Sequence, residues 1–390
     1  MAAISWLDVL EQELNIDIDW MDPDFLVEMK DTIKFHDLTS NQNFVDVQMG
    51  HPSNVDLLRE TAREVQAEYA AATSTPEHPL WLAIYTRMAV RMCKKVVDLV
   101  SGRVLLQTSP SEAYSTAATL AHAHLYDAEF ARHGIPRDRF CIKIPCTGPA
   151  LNAAKILQEE GIQTLGTALF GVPQAMACSQ ARTLSISPYF NDVRAHDDRS
   201  IWPAVADPAV EHPNAARLVQ ILDLYRRLYA ATGERQPLVK NASFVSQEEA
   251  LAAGEMGCQS ATLFHTLIRD LKAHPYTAAE RPGGAVAANA CVPKPAADTP
   301  FYKDRAPPSA RLAPLLSVDP LNAADPSKVA AGNDYDTVTK VDYLADNGKL
   351  LDAAIDADPV AKDRLAAALT LFIACEKRSQ DKVDKALASL

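Results

Sequence analysis

One pattern limits what this chain can fold into: short strand-like runs recur, and a helical segment follows each one. The runs are NIDID (15–19), IKFHDLT (33–39), GRVLLQT (102–108), RFCIKIP (139–145), IQTLGTALF (162–170), TLSISPYF (183–190), QPLVKNASF (236–244) and CQSATLF (258–264). The helical segments between them carry their own punctuation. LNAAKILQEEG (151–161) ends on Gly161, a residue type suited to a helix C-terminus. SQEEALAAG (246–254) opens with Ser246 and has Glu249 three places on, the pattern of a capping box. AARLVQILDLYRRLYAA (215–231) has helical periodicity. Eight strands alternating with helices predict an α/β fold, a single (β/α)8 barrel over residues 1–274.

The rest of the chain reads differently. Ten of the 25 prolines fall between Pro275 and Pro326, so residues 275–338 are expected to be an irregular, Pro/Ala-rich excursion, in part disordered. Residues 339–390 end in a long amphipathic pattern and are expected to form helices packed on the barrel. The N-terminus reads as a short amphipathic helix with Ile4, Leu7, Leu10 and Leu14 on one face, and not as a signal peptide. A net charge of −12 argues against nucleic acid or an anionic membrane as partner. No run approaches the ~20 apolar residues of a spanning helix. Seven cysteines without paired CxxC spacing suit reduced thiols and a cytoplasmic protein, not a disulfide scaffold or zinc site.

The fourth run places Lys143 in an apolar strand, and lysine is almost never fully buried without a partner or a task. In a barrel, functional groups gather at the C-terminal ends of strands. There this sequence offers Asp19, Asn41, Gln107, Lys143, Thr167, Ser187, Tyr189, Asn241 and Ser243. Desolvation should depress the pKa of such a lysine, and a neutral amine attacks a ketone to form an imine. The protonated imine is an electron sink for C–C cleavage, Asp19 is placed to move protons, and hydroxyl or amide groups can hold a water. This is the equipment of a lysine-dependent aldolase and needs no cofactor and no metal. Plainer roles are open for each residue. A strand lysine is commonly salt-bridged or snorkelling; Asp19 also fits a cap before DPDF (22–25), and Asn41 a turn. Gln107 and Thr167 fit ordinary hydrogen-bonding positions. Cys141 and Cys146 read as packing residues. His36, His122 and His124 read as structural or solvated, with no carboxylate set spaced for a metal.

Several blocks resemble the transaldolase family of Schiff-base aldolases. IKIPCTGPALNAAKILQEEGIQTLGTALFGVPQA (142–175) is similar to the family's lysine strand, its following helix and the Thr-bearing strand. SISPYFN (185–191) resembles the next strand, and NASFVS (241–246) the Ala-Ser-Phe segment. HDLTSNQNF (36–44) resembles a Thr-Thr-Asn-Pro-Ser motif without its proline, and DWMD (19–22) the first-strand Asp-x-x-Asp. The resemblance implies that Lys143 forms the imine, Asp19 is the acid/base group, Thr167 orients a water, and Asn41 and Ser187 bind substrate. Gln107 and Tyr189 match the fructose-6-phosphate aldolase branch, where transaldolases carry Glu and Phe. The family's two phosphate-holding basic positions are Asp192 and Val245 here, with Arg194 two residues beyond the first, and the third-strand serine is Leu105.

The expected activity is therefore class I aldolase or transaldolase-like chemistry on small-molecule ketones and aldehydes. The donor is expected to be of dihydroxyacetone type, and the substrate to lack a phosphate. Arg194, Arg199 or Lys240 is the fallback anion holder. Two rival readings stand beside this: an ordinary transaldolase of the pentose phosphate pathway, and an inactive barrel kept as a binding protein. The oligomeric state is left open, with a homo-oligomer among the alternatives.

Overall fold

The computed structural model describes residues 4–295 and 299–390. Met1–Ala3 of the N-terminal segment and residues 296–298 of the Pro/Ala-rich stretch lie outside the described residues. Seven of the eight predicted runs form strands: β1 (Asn15–Ile18), β2 (Val104–Gln107), β3 (Phe140–Pro145), β4 (Thr164–Leu169), β5 (Ser185–Pro188), β6 (Leu238–Asn241) and β7 (Ser260–Leu263). They make one parallel sheet in the order β1-β7-β6-β5-β4-β3-β2.

The run at 33–39 is the exception. It is not a strand, and only Leu38 bridges, pairing with Ile18 of one edge and Val104 of the other. Its main chain still bonds to both edges. His36 N–H donates to Ile16 O (2.9 Å) and Leu38 N–H to Arg103 O (2.9 Å), while Leu38 O accepts from Leu105 N–H (2.8 Å). The regular ladder fails because carboxylates displace carbonyls as acceptors. Asp37 N–H donates to Asp17 Oδ1 (3.0 Å) and Arg103 N–H to Asp37 Oδ1 (2.7 Å).

The helices follow from local chemistry. Helix Gln247–Met256 has the predicted Ser246/Glu249 capping box, and Gly257 ends it at φ +87°. Helix Gly148–Glu159 starts on a Thr147 cap, with Gly161 just past its end at φ +80°. Trp6–Glu13 is the predicted N-terminal helix; Leu7, Leu10 and Leu14 are buried but Ile4 is exposed. The cap before Pro23–Met29 is Asp22, which leaves Asp19 free of that duty. Gly166 admits no side chain, because a Cβ there would lie 2.5 Å from Cys178 Sγ and 2.8 Å from Cys146 Sγ.

Residues 275–338 hold few elements but are anchored where described. Tyr302 Oη donates to Pro237 O (2.7 Å), and Asp319 receives the buried Arg217 guanidinium (3.1 Å). The final helix, Pro359–Ala388, crosses the C-terminal ends of the strands. It meets the loop after β5 through Asp363 and Arg194, the loop after β2 through Glu376 and Ser111 (2.7 Å), and the helix after Leu38 through Arg378 and Asp46 (2.8 Å). No helix among the described residues is long and apolar enough to cross a membrane.

Candidate active site

Alternation along each strand sorts its side chains onto two faces. One face joins the large core between sheet and helices. The other carries a small separate cluster of Leu105, Cys141, Leu165 and Leu184. Two residues beyond the first three come Gln107, Lys143 and Thr167, so these polar groups share the inner face, toward the strands' C-terminal ends. Gln107 is the register partner of Lys143 across β2 and β3.

Lys143 is buried, and its Nζ donates to Thr39 Oγ1 at 3.0 Å. Among the described residues it has no carboxylate within ion-pair distance. Burial lowers its pKa, with the nearby Asp19 charge acting against that. Asp19 follows β1 and has a buried Oδ1 without a hydrogen-bond partner among the described residues. Burial raises its carboxyl to about 7, partly offset by Lys143. Asp19 can therefore take up or give up a proton near neutrality.

Around them lie Thr167 and Tyr189, whose hydroxyls are 3.3 Å apart, and Gln107, whose side-chain Oε1 and Nε2 are both buried and unpartnered. Burial pushes the Tyr189 phenol well up, so it stays protonated and can donate. Ser187 is buried on the same face, two residues before Tyr189. An unpartnered amide beside an amine and two hydroxyls leaves donors and acceptors for a polar ligand or water.

The remaining predicted residues are placed otherwise. Asn41 caps helix Gln42–Met49, accepting from Asn43 N–H (2.9 Å) and Phe44 N–H (3.4 Å). Asn241 is one residue from the inward-facing Lys240, which turns it to the opposite face, and its amide donates to Pro188 O (3.0 Å). Ser243 sits at φ +65°, bonded to Asn191 O (3.2 Å) and His196 Nε2 (2.9 Å). Arg194 is bound by Asp192 (2.9 Å from Nε to Oδ1) and by Asp363.

Four residues were missed or misread from sequence. Thr39, the closest partner of Lys143, stands in the HDLTSNQNF block, but only Asn41 of that block was given a role. Arg364 lies on the final helix near Asp192, with a buried Nη1 that has no partner among the described residues. Lys240 was a fallback anion holder, yet its Nζ lies 2.8 Å from Asp17 Oδ2 and 2.9 Å from Asp37 Oδ2, near the strands' N-terminal ends. The spacing around His36 had suggested no carboxylate set, but the fold brings Asp17 and Asp37 to 3.5 and 3.2 Å from its Nδ1. These three groups have the composition of a metal site. The Lys240 ammonium already bridges the two carboxylates, so the place of a cation is taken.

Comparison with known proteins bears on this arrangement. A family model described as transaldolase/fructose-6-phosphate aldolase matches residues 16–298. A transaldolase of Rhizobium etli (strain CIAT 652) is 29% identical over 274 residues, 68% of this chain and 78% of its own. A transaldolase of Nostoc punctiforme is 30% identical over 188 residues, 47% of this chain and 56% of its own. One from Acidobacterium capsulatum is 26% identical over 250 residues, 63% and 71% of the two chains.

Proposed function

We propose, on the premise that this chain belongs to the transaldolase/fructose-6-phosphate aldolase family of enzymes, that it makes and breaks a C–C bond next to a ketone through an imine on Lys143. The observation that carries this reading is a buried lysine held by one hydroxyl, Thr39 at 3.0 Å, with no carboxylate in ion-pair contact among the described residues. Burial favours its neutral, nucleophilic form.

In this reading the amine adds to the ketone of a dihydroxyacetone-type donor and water leaves. Asp19 takes the proton of the substrate hydroxyl as the C–C bond breaks. Its position near a pKa of 7 lets it return that proton in the reverse direction. The aldehyde fragment leaves, and the enamine then either attacks a second aldehyde or takes a proton; in both cases water hydrolyses the resulting imine to free the product and Lys143. Gln107, Thr167 and Tyr189 hold the water through which release runs. Gln107 cannot act as a charged base, so this water relay favours release more than a glutamate would. Tyr189→Phe should shift the balance toward transfer by a few-fold.

We read the fold as a (β/α)8 barrel over 1–274 whose eighth place is the 36–39 segment. Residues 275–338 are then an excursion, and 339–390 pack on the barrel. Seven free cysteines support a reducing compartment such as the cytoplasm. Asp192 and Val245, with Arg194 already paired, support an unphosphorylated substrate. That the matched relatives are transaldolases favours the alternative of an ordinary transaldolase.

The test is borohydride reduction with dihydroxyacetone or fructose, read by intact mass. Wild-type protein should gain a stable adduct and Lys143→Met none. Full turnover in Lys143→Met would overturn the assignment. Efficient transfer without any release of free donor would favour the transaldolase alternative.

A further inference from the structure

The strands' N-terminal ends, opposite Lys143, open into a cavity of about 700 Å³. Its walls include Arg103, which precedes β2, and Arg235, which precedes β6, with the rings of Tyr229, Phe301 and Tyr302. The charges behind it balance. Lys240 and His36 face Asp17 and Asp37, and the carboxylates hold His36 protonated at neutral pH, against the effect of burial, by raising it to about 9. That is two cations against two anions.

Arg103 and Arg235 stand outside this balance. Among the described residues neither guanidinium has a carboxylate within ion-pair distance or a side-chain hydrogen bond, and Arg103 Nε is buried with no acceptor. Arg235 is exposed at the cavity's rim, and partial desolvation there, then the charge of Arg103, pushes it down from its usual value. A neighbouring arginine shows what a structural role looks like. Arg139 donates to the carbonyls of Gly102 (2.8 Å), Val97 (2.6 Å) and Val100 (3.2 Å). Two like charges sharing a cavity repel, and an unmet buried donor is costly. An oxyanion between them would answer both, since guanidinium pairs with carboxylate or phosphate through two parallel hydrogen bonds.

We propose that this cavity is a second ligand site, distinct from the Lys143 centre, for a small organic anion of at least two negative charges held between Arg103 and Arg235. The aromatic walls would cover the ligand's carbon skeleton. A phosphate ester and a polycarboxylate share the chemistry required, so phenyl phosphate and citrate serve as separate probes.

The experiment is calorimetric titration of each probe into wild-type protein, Lys143→Met, Arg103→Gln and Arg235→Gln. Arg235 is exposed, so its replacement should fold. At least one probe should saturate one site on wild type and on Lys143→Met alike. Each arginine variant should weaken it tenfold or more. No saturable binding of either probe would overturn the proposal, as would binding that survives both arginine replacements. The outcome is independent of the imine reading, because Lys143→Met is expected to bind normally.

Discussion

Two lysines lie buried within the same curled sheet and do opposite things. Lys143, on β3, meets one hydroxyl and, among the described residues, no carboxylate, and burial lowers its pKa. Lys240, on β6, meets Asp17 at 2.8 Å, Asp37 at 2.9 Å and Ser260 at 3.3 Å; burial works against its charge, but the two carboxylates outweigh it and raise its pKa. Both side chains are nearly inaccessible, so burial does not separate them. The difference is the number of carboxylates in contact. One end of the interior keeps an amine available for chemistry, and the other spends an ammonium on joining β1, β6 and the 36–39 segment.

Replacing each lysine by methionine should separate the two roles most widely. Lys143→Met should lower turnover on the order of a thousandfold or more while leaving the fold intact. Asp19, already near neutrality at pH 7, can take up a proton once the lysine is gone, so no buried charge is stranded. Lys240→Met leaves two buried carboxylates with only the His36 cation between them and should cost about 3–5 kcal/mol in denaturant unfolding. The comparison breaks if Lys143→Met destabilises the protein as much as Lys240→Met, or if Lys240→Met alone abolishes imine trapping in folded protein.

The two ends should also titrate in different windows. Asp19 has a folded pKa raised to about 7 by burial. Its stabilising contribution is complete below the unfolded value near 4 and is lost as pH rises through 7. His36 is raised to about 9 by Asp17 and Asp37 against the effect of burial. Its contribution is complete below about 6.5 and is lost as pH rises through 9. Thermal unfolding midpoints measured from pH 4 to 10 should therefore fall in two stages. Asp19→Asn should flatten the first stage and His36→Gln the second. A His36→Gln profile identical to wild type above pH 6.5 would remove His36 from the charge balance.

Much of the upper site was legible because it depends on alternation. Gln107, Lys143 and Thr167 share a face by period two, and Ser187 with Tyr189 by the same rule. Two readings did not follow from the rule. Asn241 was read with the strand's polar end, but an inward Lys240 turns it outward. The 33–39 run had the composition of a strand, yet Asp17 and Asp37 replaced its ladder acceptors with carboxylates. The Lys240 cluster was not legible at all. Its members are 17, 36, 37 and 240 in sequence, and only closure of the sheet edges brings them together. Arg364 was hidden for the same reason, since its place depends on where the final helix crosses.

The smallest expected effect extends the comparison to arginine. Arg194 contacts two carboxylates, Asp192 and Asp363, as Lys240 does, but at an exposed surface. It should therefore behave as a structural cation of small worth, with Arg194→Ala costing less than about 1 kcal/mol because exposed ion pairs are screened. The ratio of kcat/KM for fructose 6-phosphate to that for fructose should stay within about twofold of wild type, since a guanidinium already bound to two carboxylates has little to offer a phosphate. A tenfold fall in that ratio would mean that Arg194 leaves its partners for the substrate. Arg364 makes the complementary case, because its Nη1 is buried beside the same loop without a partner among the described residues. A phosphate preference that survives Arg194→Ala but disappears in Arg364→Gln would place the anion end on the final helix. It would also reverse the unphosphorylated reading while leaving Lys143 as the reacting group.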